Sequence, residues 1–403
     1  MKKKVLVVAP TNWPEGSGGT LATHLMVKFL SQTGRFDVTL LTGTRNPEVV
    51  PGVRFIVDPF VKLVEKRFSI LRLVKYRYGN LIEKHDVIYT VYAYTFIPIA
   101  KKLGKRVIVH LHDYRPVSPS SVILANQAEN PTLLKLALDS FKVKWLERKS
   151  LESLFFNIGE VLRTPLIARW VSEADTVVAV SKRHAELLAK ALPPLKDKLV
   201  VIYNPPPPVV SIRKELAETP TFLYLGGESY VKGFYVLMQA IEMALREGVK
   251  ARFIFTNKYS KQAQLIISRI NRRYDNVIHL AGRIPYTEVL NLYRQAWASL
   301  FPSIYEEPLP YVPIESILLQ TMPIASKVGG VPELLNPLIK NLPLVEPGDI
   351  KTFKEHITMF SSMRKGELHD QIVYLNDISK HLLNKLLENS KSLVHIILEN
   401  NIT

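Results

Sequence analysis

The chain has 403 residues, and its 53 lysines and arginines against 36 aspartates and glutamates give a formal net charge of +17. A composition of 47% hydrophobic and 22% charged residues is that of an ordinary globular protein and excludes disorder as its main theme. The absence of cysteine excludes a disulfide framework, thiol catalysis, iron–sulfur clusters and cysteine-ligated zinc. The positive charge favours an anionic partner, which leaves nucleic acid, an anionic membrane and a phosphorylated small molecule as candidates.

The charge is divided unevenly along the chain. Residues 1–210 hold 31 basic and 17 acidic side chains, a net charge of +14, whereas residues 211–403 hold 22 and 19, a net charge of +3. No stretch approaches the roughly 18 apolar residues that span a bilayer, and the apolar run at the N-terminus is too short for a signal peptide. We therefore expect a cytoplasmic protein whose charge serves mainly its first half.

In the first half, short runs rich in Val and Ile alternate with longer periodic segments. The pattern predicts a helix at residues 20–31 and strands at residues 4–9, 37–41, 53–57, 86–91, 106–110 and 176–180. This alternation is typical of βαβ units, in which a parallel sheet is covered on both faces.

A second series of strands begins after four consecutive prolines at residues 205–208. These prolines deny backbone donors to any sheet or helix, so we place a domain boundary there, between residues 1–205 and 206–384. Strand-like runs then recur at residues 221–225, 252–255, 277–280, 298–301 and 323–326. The fold class predicted is α/β, with two doubly wound, Rossmann-like parallel-sheet domains that face each other across a cleft.

The C-terminal segment, residues 368–399, is long and helix-forming. Its apolar periodicity predicts one or two helices that pack on the second domain. We expect the end of this segment, at about residues 385–403, to pack back on the first domain.

Two glycine-rich loops stand between a strand and a helix. In the first, EGSGGT at residues 15–20, glycines let the backbone approach a ligand, and the helix that follows favours a phosphate; a flexible turn is the alternative. In the second, GGESYVKG at residues 226–233, Lys232 lies near a helix N-terminus. A lysine there opposes the helix dipole unless an anion offsets it, which favours phosphate binding over a solvated lysine.

The strand at residues 106–110 leads into His110, His112 and Asp113 at its carboxyl end. Alternation places the two histidines on the same side of the strand, and strand ends of this kind face the cleft. We expect His110 to be structural and His112 to contact substrate. A metal site at the pair would need a third ligand that the sequence does not identify.

Glu307 and Glu315 flank a proline-rich turn. Carboxylates that accept paired hydrogen bonds from vicinal hydroxyls suit sugar and ribose recognition. The acid and nucleophile of a glycosidase, or two solvated surface acids, are the alternatives.

In this order, the segments resemble the family 4 glycosyltransferases, retaining enzymes with the two-domain GT-B fold, over nearly the whole chain. The matching segments are the loop at Gly18 and Gly19, VHLHD at residues 109–113, ADTVVAVS at 174–181, VIYNP at 201–205, LGGESYVKG at 225–233, VIHLAG at 277–282, the motif from Glu307 to Glu315, and ASKVGGVPE at 325–333. The resemblance implies a hexosyltransferase that uses a nucleotide-sugar such as a UDP- or GDP-sugar as co-substrate and needs neither a further cofactor nor a metal ion. Consistent with this, the chain has no Asp-x-Asp motif.

The resemblance also implies roles for individual residues. The catalytic set would be Glu307, which holds hydroxyls of the transferred sugar, His112, near the anomeric centre, and Lys232, which neutralises the donor diphosphate. Glu315 would bind the ribose hydroxyls. The remaining donor-binding residues would be Gly18 and Gly19 at the diphosphate, Leu309, Tyr311 and Val312 along the pocket, and Gly282 and Arg283 at the base.

Two departures from the family pattern affect the donor site. Gly226 and Gly227 stand where family members commonly have Gly-Arg, and the missing arginine would have shared the diphosphate, a charge-assisted contact worth about 1.5–3 kcal/mol. Pro310 replaces a frequent glycine and lacks a backbone N–H. A nucleotide-sugar-binding protein with weak or no catalysis is therefore an alternative to an active enzyme.

The resemblance implies that the first domain, which is the basic half, binds the acceptor. Residues 60–78 predict an amphipathic helix with Lys62, Lys66, Arg72 and Lys75 on one stripe, and a second basic cluster comprises Lys142, Lys144, Arg148 and Lys149. Such segments can lie on anionic membranes, or they can be ordinary helices with a solvated face. We expect an acceptor glycan or lipid-linked acceptor at the inner face of the cell membrane. A nucleic-acid-binding protein is the less favoured class, because no recognised nucleic-acid motif accompanies the charge.

Overall fold

The computed structural model describes residues 2–66, 71–148, 150–209 and 212–399. Its first half contains a seven-stranded sheet in the order β3-β2-β1-β4-β5-β6-β7, with every neighbouring pair parallel. The strands are β1 Lys3–Ala9, β2 Phe36–Thr42, β3 Val53–Val57, β4 Val87–Thr90, β5 Arg106–Leu111, β6 Thr176–Ala179 and β7 Leu199–Val201. Consecutive residues of β1, from Val5 to Val8, are fully buried, because helices cover both faces of the sheet.

The second half contains a six-stranded parallel sheet in the order β10-β9-β8-β11-β12-β13. The strands are β8 Thr221–Tyr224, β9 Arg252–Thr256, β10 Ile278–Gly282, β11 Ala298–Phe301, β12 Met322–Ser326 and β13 Leu344–Val345. The predicted fold class, two α/β domains with parallel sheets, is confirmed. β7 and β13 were not predicted, since runs of two or three residues carry no measurable periodicity.

Fourteen α-helices are described: α1 Gly18–Gln32, α2 Phe60–Lys66, α3 Leu71–Glu83, α4 Phe96–Lys102, α5 Leu133–Arg148, α6 Leu151–Glu173, α7 Lys182–Ala191, α8 Phe234–Arg246, α9 Lys261–Arg273, α10 Tyr286–Gln295, α11 Tyr311–Leu318, α12 Val331–Leu335, α13 Ile350–Ser362 and α14 Lys365–Leu398. The helix predicted at residues 60–78 corresponds to α2 and α3, and residues 67–70 between them lie outside the described residues, as do the side chain of Lys66 and all of Lys149. None of the described helices is long and apolar enough to cross a membrane.

The last helix, α14, touches both halves. Leu368, Leu375, Leu382 and Leu386 belong to the core of the second sheet. Farther along, Leu393, Val394 and Ile397 join the core beneath the first sheet. The helix also holds the connector, because Asn389 Oδ1 accepts a hydrogen bond from the backbone N–H of Tyr203. One continuous helix therefore ties the two sheets together behind the cleft.

Candidate active site

A cleft of about 530 Å³ lies between the two halves, at the carboxyl ends of both sheets. Its walls come from the loops after β1, β4, β5, β6 and β7 on one side and from the loops after β8, β10 and β11 on the other. Nine of the residues predicted from the sequence line it: Gly18, Gly19, His112, Lys232, Glu307, Leu309, Tyr311, Val312 and Glu315. Residues separated by almost 300 positions in the chain therefore share one cavity.

Helix α1 points its N-terminus into this cleft. Gly18 and Gly19 form its first two positions, and the side chain of Ser17 makes no capping hydrogen bond. A Cβ on Gly19 would lie 2.9 Å from the hydroxyl of Tyr92, so only glycine fits here without displacing its neighbour. The backbone amides and the positive end of the helix dipole are thus presented to an anion in the cleft.

Lys232 and Glu307 form an ion pair across the cleft floor. The Nζ atom of Lys232 lies 2.6 Å from Oε2 of Glu307 and 3.4 Å from the hydroxyl of Tyr305. Gly233 follows in the left-handed region (φ 76°), and a Cβ there would lie 1.8 Å from the carbonyl oxygen of Pro302, so the glycine fixes the approach of this loop to β11. Glu307 is only 4% exposed, and its second oxygen, Oε1, makes no hydrogen bond.

Glu315 lies on α11, in the wall that the second half contributes to the cleft. Its Oε1 atom accepts a hydrogen bond of 2.8 Å from the hydroxyl of Tyr286, the first residue of α10. Burial raises the pKa of the Glu315 carboxyl to about 7, although the hydrogen bond from Tyr286 opposes the shift. A ligand that donates further hydrogen bonds to this carboxylate would favour its ionised form.

His112 forms part of the opposite wall. Its ring stacks on that of His110 with the centroids 4.4 Å apart, and Nε2 lies 3.4 Å from the hydroxyl of Thr23. Burial lowers the pKa of His112 to about 4, so the imidazole is neutral near pH 7. Its Nδ1 atom is buried and makes no hydrogen bond. His110 lies deeper, 1% exposed, and pairs with the hydroxyl of Tyr89.

Gly282 and Arg283 are not among the residues that line the cleft. Gly282 ends β10 and Arg283 follows it at the same end of the sheet, and the carbonyl of Gly282 accepts a 2.7 Å hydrogen bond from the N–H of Asn257. The side chain of Asn257 in turn donates to the carbonyl of Leu225, 2.8 Å away, at the start of the loop that carries Lys232. These residues thus border the loop that carries Lys232 from outside.

Gly227 stands where the resemblance led us to expect an arginine, so this position offers only backbone groups. Gly227 has a φ of 65°, and its carbonyl accepts a 2.9 Å hydrogen bond from the hydroxyl of Tyr224. Lys232 is the one lysine or arginine among the described residues that line the cleft. Within the same described part of the chain, no three His, Asp or Glu side chains lie close enough together to hold a metal ion.

Several residues of the site were not singled out from the sequence. Tyr286, Tyr305, Asn204 and Tyr92 all line the cleft. Tyr305 could have been found, because it stands two residues before Glu307 in the sequence. Tyr286 had no such signal, since only tertiary packing brings α10 against α11.

Contacts beneath the cleft hold the two halves together. The Glu333 carboxylate accepts hydrogen bonds of 2.8 and 2.9 Å from the backbone N–H groups of Lys182 and Arg183, at the N-terminus of α7. The guanidinium of Arg183 pairs with Glu306 at 2.8 Å, and Glu306 also accepts a 2.7 Å hydrogen bond from the N–H of Gly329. The second half thus supplies the anion that this helix N-terminus favours.

A carboxylate from the first half also binds the loop that carries Lys232. Glu147, on α5, accepts hydrogen bonds through Oε1 from the hydroxyl of Ser229 at 2.8 Å and from the N–H of Val231 at 2.9 Å. Both donors belong to the loop that carries Lys232. The orientation of that loop is therefore fixed by a residue of the other half.

Comparisons with known families cover most of the chain. Residues 17–206 match the family described as Glycosyltransferase Family 4, and residues 211–376 match Glycosyl transferases group 1. Among curated proteins, a glycogen synthase of Mycobacterium tuberculosis is 24% identical over 166 residues, which is 40% of this chain and 40% of that protein. The matched segment therefore spans well under half the length of this curated relative.

Solved structures resemble the whole chain in fold. A glycosyltransferase from Rickettsia africae has a TM-score of 0.63 at 17% identity, covering 99% of this chain and 100% of its own. HepE from Anabaena, in complex with UDP-glucose, has a TM-score of 0.65 at 14% identity and 98% and 99% coverage. Sucrose-phosphate synthase from Thermosynechococcus elongatus has a TM-score of 0.63 at 15% identity, with 98% of each chain covered. The expected GT-B architecture is confirmed.

Proposed function

Because the chain belongs to the family 4 glycosyltransferases, a family shown by its two matching halves, we propose that it moves a sugar from a nucleotide-sugar donor to an acceptor hydroxyl with retention of configuration. The acceptor is a membrane-borne or lipid-linked molecule. The enzyme works at the cytoplasmic face of a membrane and uses no metal ion.

The proposal rests on unpaired polar atoms that face one cleft. Nδ1 of His112, Oε1 of Glu307 and Oδ1 of Asn204 are buried without a hydrogen bond, and all three residues line the cavity. A buried polar atom left unpaired costs about 1–3 kcal/mol, so a ligand rich in hydroxyl groups would stabilise this arrangement. A sugar offers such groups at the required density.

The charges of the cleft suit a nucleotide diphosphate as the leaving group. The bond from the sugar's anomeric carbon to the diphosphate oxygen breaks, a bond from that carbon to the acceptor oxygen forms on the same face, and the acceptor proton passes to the donor phosphate. Negative charge then grows on the diphosphate, where Lys232 and the N-terminus of α1 stabilise it. Glu307 holds hydroxyls of the sugar and is not a covalent nucleophile.

The nucleoside end of the donor is assigned to the wall formed by Glu315 and Tyr286. The Glu315 carboxylate would accept hydrogen bonds from the two ribose hydroxyls, with Tyr286 as its third donor. Gly282 and Arg283 lie beyond this wall and would meet the base. UDP-glucose heads the candidate donors because the Anabaena neighbour was solved with it, and GDP-sugars follow.

Titration calorimetry with a nucleotide-sugar tests the assignment of Glu315 to the donor site. We expect Glu315→Ala to weaken nucleotide-sugar binding at least about tenfold, because two charge-assisted hydrogen bonds are lost. Glu355→Ala, on the exposed face of α13, is the matched control. Equal affinity in the two variants would remove Glu315 from the donor site.

A second candidate, favoured by Gly227, is a nucleotide-sugar-binding protein without useful catalysis. Incubation with a panel of UDP- and GDP-sugars separates the two functions. An active enzyme releases nucleoside diphosphate slowly even without acceptor and faster with membrane extract. Tight binding with no release under either condition would support the second candidate instead.

A further inference from the structure

Helices α5 and α6 expose an unusual number of large apolar side chains. They follow each other in the chain and pack together, and we call them the α5–α6 hairpin (Leu133–Arg148 and Leu151–Glu173). Eight of their apolar side chains are between 45% and 75% exposed: Leu134, Leu138, Trp145, Leu151, Phe155, Phe156, Ile158 and Leu162. Contiguous apolar surface of this extent marks an interaction site.

The hairpin buries polar side chains as well as apolar ones such as Leu136 and Trp170. Ser140, Ser153, Asn157 and Thr164 are at most 6% exposed. The two helices are joined there by a 2.7 Å hydrogen bond from Nδ2 of Asn157 to the hydroxyl of Ser140. A helix that faces water normally exposes its polar side chains, so the burial of these four while large apolar side chains meet solvent departs from that pattern.

The exposed apolar residues follow helical spacing and so form continuous stripes. On α6, Leu151, Phe155, Ile158 and Leu162 recur at intervals of three and four residues. On α5, Leu134 and Leu138 lead along one face towards Trp145. Because the two helices pack together, the two stripes lie on neighbouring helices and are not isolated exposed positions.

The charged side chains beside the apolar stripes indicate which kind of partner this surface binds. The exposed charged side chains of the described hairpin are Lys135, Lys142, Arg148 and Arg169, against Glu152 alone. A second copy of the chain would bring these cations against one another, whereas anionic headgroups would neutralise them. We propose that the α5–α6 hairpin docks on an anionic lipid bilayer, with its apolar stripes among the acyl chains and its cations at the headgroups.

The hairpin lies in the interface and does not span the bilayer, since no described helix is long and apolar enough to cross one. The inner side of α5 contacts the loop at residues 225–233, which carries Lys232 and which we call the donor loop: Val143 packs against Val231 and Leu124, and Glu147 binds the N–H of Val231. Docking would therefore hold the cleft close to the membrane surface. The biological purpose of docking rests on the proposed function. Lipid binding itself does not, because vesicle binding is measured without donor or acceptor.

Vesicle flotation with the full-length chain tests the proposal. We expect the protein to float with vesicles of phosphatidylcholine and phosphatidylglycerol (7:3) at low salt, and to float much less with phosphatidylcholine alone. The double variant Phe155→Ser, Leu162→Ser should bind the anionic vesicles about tenfold more weakly. The control Leu265→Ser, Val373→Ser removes side chains that are 65% and 53% exposed outside the hairpin and should bind like the unmodified chain.

The basic residues have their own pair of variants. Lys135→Gln with Lys142→Gln should lower binding to anionic vesicles about fivefold or more, whereas Lys261→Gln with Lys365→Gln should leave it within about twofold. Trp145 reports insertion, because Trp170 and Trp297 are buried and Trp13 lines the cleft. Vesicles should shift the tryptophan emission to shorter wavelength, and Trp145→Phe should abolish the shift while flotation persists.

Two results would overturn the proposal. Equal flotation of the hairpin variant and its control would show that another surface binds lipid or that none does. A dimer of the unmodified chain that the Phe155→Ser, Leu162→Ser variant converts to monomer, without vesicle binding by either, would show that the hairpin pairs two copies. Donor hydrolysis in the absence of vesicles should be the same for all these variants, so failure of docking is separable from failure of the proposed function.

Discussion

The cleft buries charge, and the α5–α6 hairpin exposes hydrocarbon. In the cleft, Glu307 and Glu315 are 4% and 5% exposed, while on the hairpin Phe155 is 73% and Leu162 is 75% exposed. Each arrangement is unfavourable for a protein alone in water, the first through desolvation and the second through exposed apolar area. Each becomes favourable beside the partner proposed for it, a nucleotide-sugar in one case and a lipid surface in the other.

The difference between the cleft and the hairpin also explains why the net charge alone does not identify a partner. Lys232 is the one lysine or arginine among the described lining residues of the cleft, so the donor binding proposed there would draw little on the +17 of the chain. The hairpin, in the basic half, exposes cations beside apolar stripes. The positions of the cations, and not their total, distinguish the partner proposed for the cleft from the partner proposed for the hairpin.

The largest effect is expected in the cleft. Lys232→Met removes the cation that we assign to the leaving diphosphate and leaves Glu307 as an unpaired buried charge, so we expect donor hydrolysis to fall about 10²–10³-fold. Nucleoside diphosphate release measures this. Lys327→Met is the control, because Lys327 and Glu346 form an exposed ion pair at 3.0 Å outside the cleft. Equal rates in the two variants would show that Lys232 does not act on the leaving group.

A pH-dependent effect is expected at Glu315. Its pKa in the folded chain is raised from 4.5 to about 7, so between these values the folded state binds more protons than the unfolded state. Stability therefore falls as the pH rises through this window, by up to about 3 kcal/mol at pH 8 relative to pH 4.5.

Urea unfolding at several pH values checks this expectation. Glu315→Gln keeps an acceptor for Tyr286 but cannot ionise, so its free energy of unfolding should lose this part of the pH dependence and exceed that of the unmodified chain above pH 7. The control Glu355→Gln, on the exposed face of α13, should follow the unmodified chain. Parallel curves for Glu315→Gln and the unmodified chain would contradict a raised pKa at this site.

Much of the cleft could be predicted from the sequence because its parts obey local rules. Gly18, Lys232 and Glu315 each stand at a fixed place relative to a strand end or a helix start, and the parallel sheets bring such places together. Glu147 and Tyr286 follow no local rule. Their partners, Ser229 and Glu315, lie 82 and 29 positions away, so only tertiary packing brings them together.

The α5–α6 hairpin is a region whose exposed face could not be predicted from the sequence. The sequence indicates a basic cluster with aromatic residues near Lys142, but not which helix face is buried. On α6, apolar and polar residues both recur at helical spacing, and a soluble helix would bury Phe155 and expose Asn157. The structure reverses that choice, with Asn157 fully buried against Ser140. Periodicity fixes the two faces of a helix but not which of them meets solvent.

The smallest effect is expected at the contact that joins the two regions. Glu147→Gln keeps an oxygen acceptor for Ser229 and Val231 but loses the charge, which should weaken the hold of α5 on the donor loop by about 1 kcal/mol. Hydrogen exchange of the amides at residues 225–233 should then quicken roughly fivefold, since 1 kcal/mol corresponds to that factor. Glu152→Gln, on the exposed face of α6, is the control and should leave these amides unchanged.

Exchange in the presence of anionic vesicles sharpens this last prediction. If α5 carries both the lipid contact and Glu147, binding to vesicles should alter exchange at the donor loop in the unmodified chain, and less so in Glu147→Gln. The same vesicle effect in both would mean that the lipid contact and the donor loop are not coupled through Glu147. The hairpin would then hold the enzyme at the membrane without acting on its cleft, and the two regions would be related only by their distance.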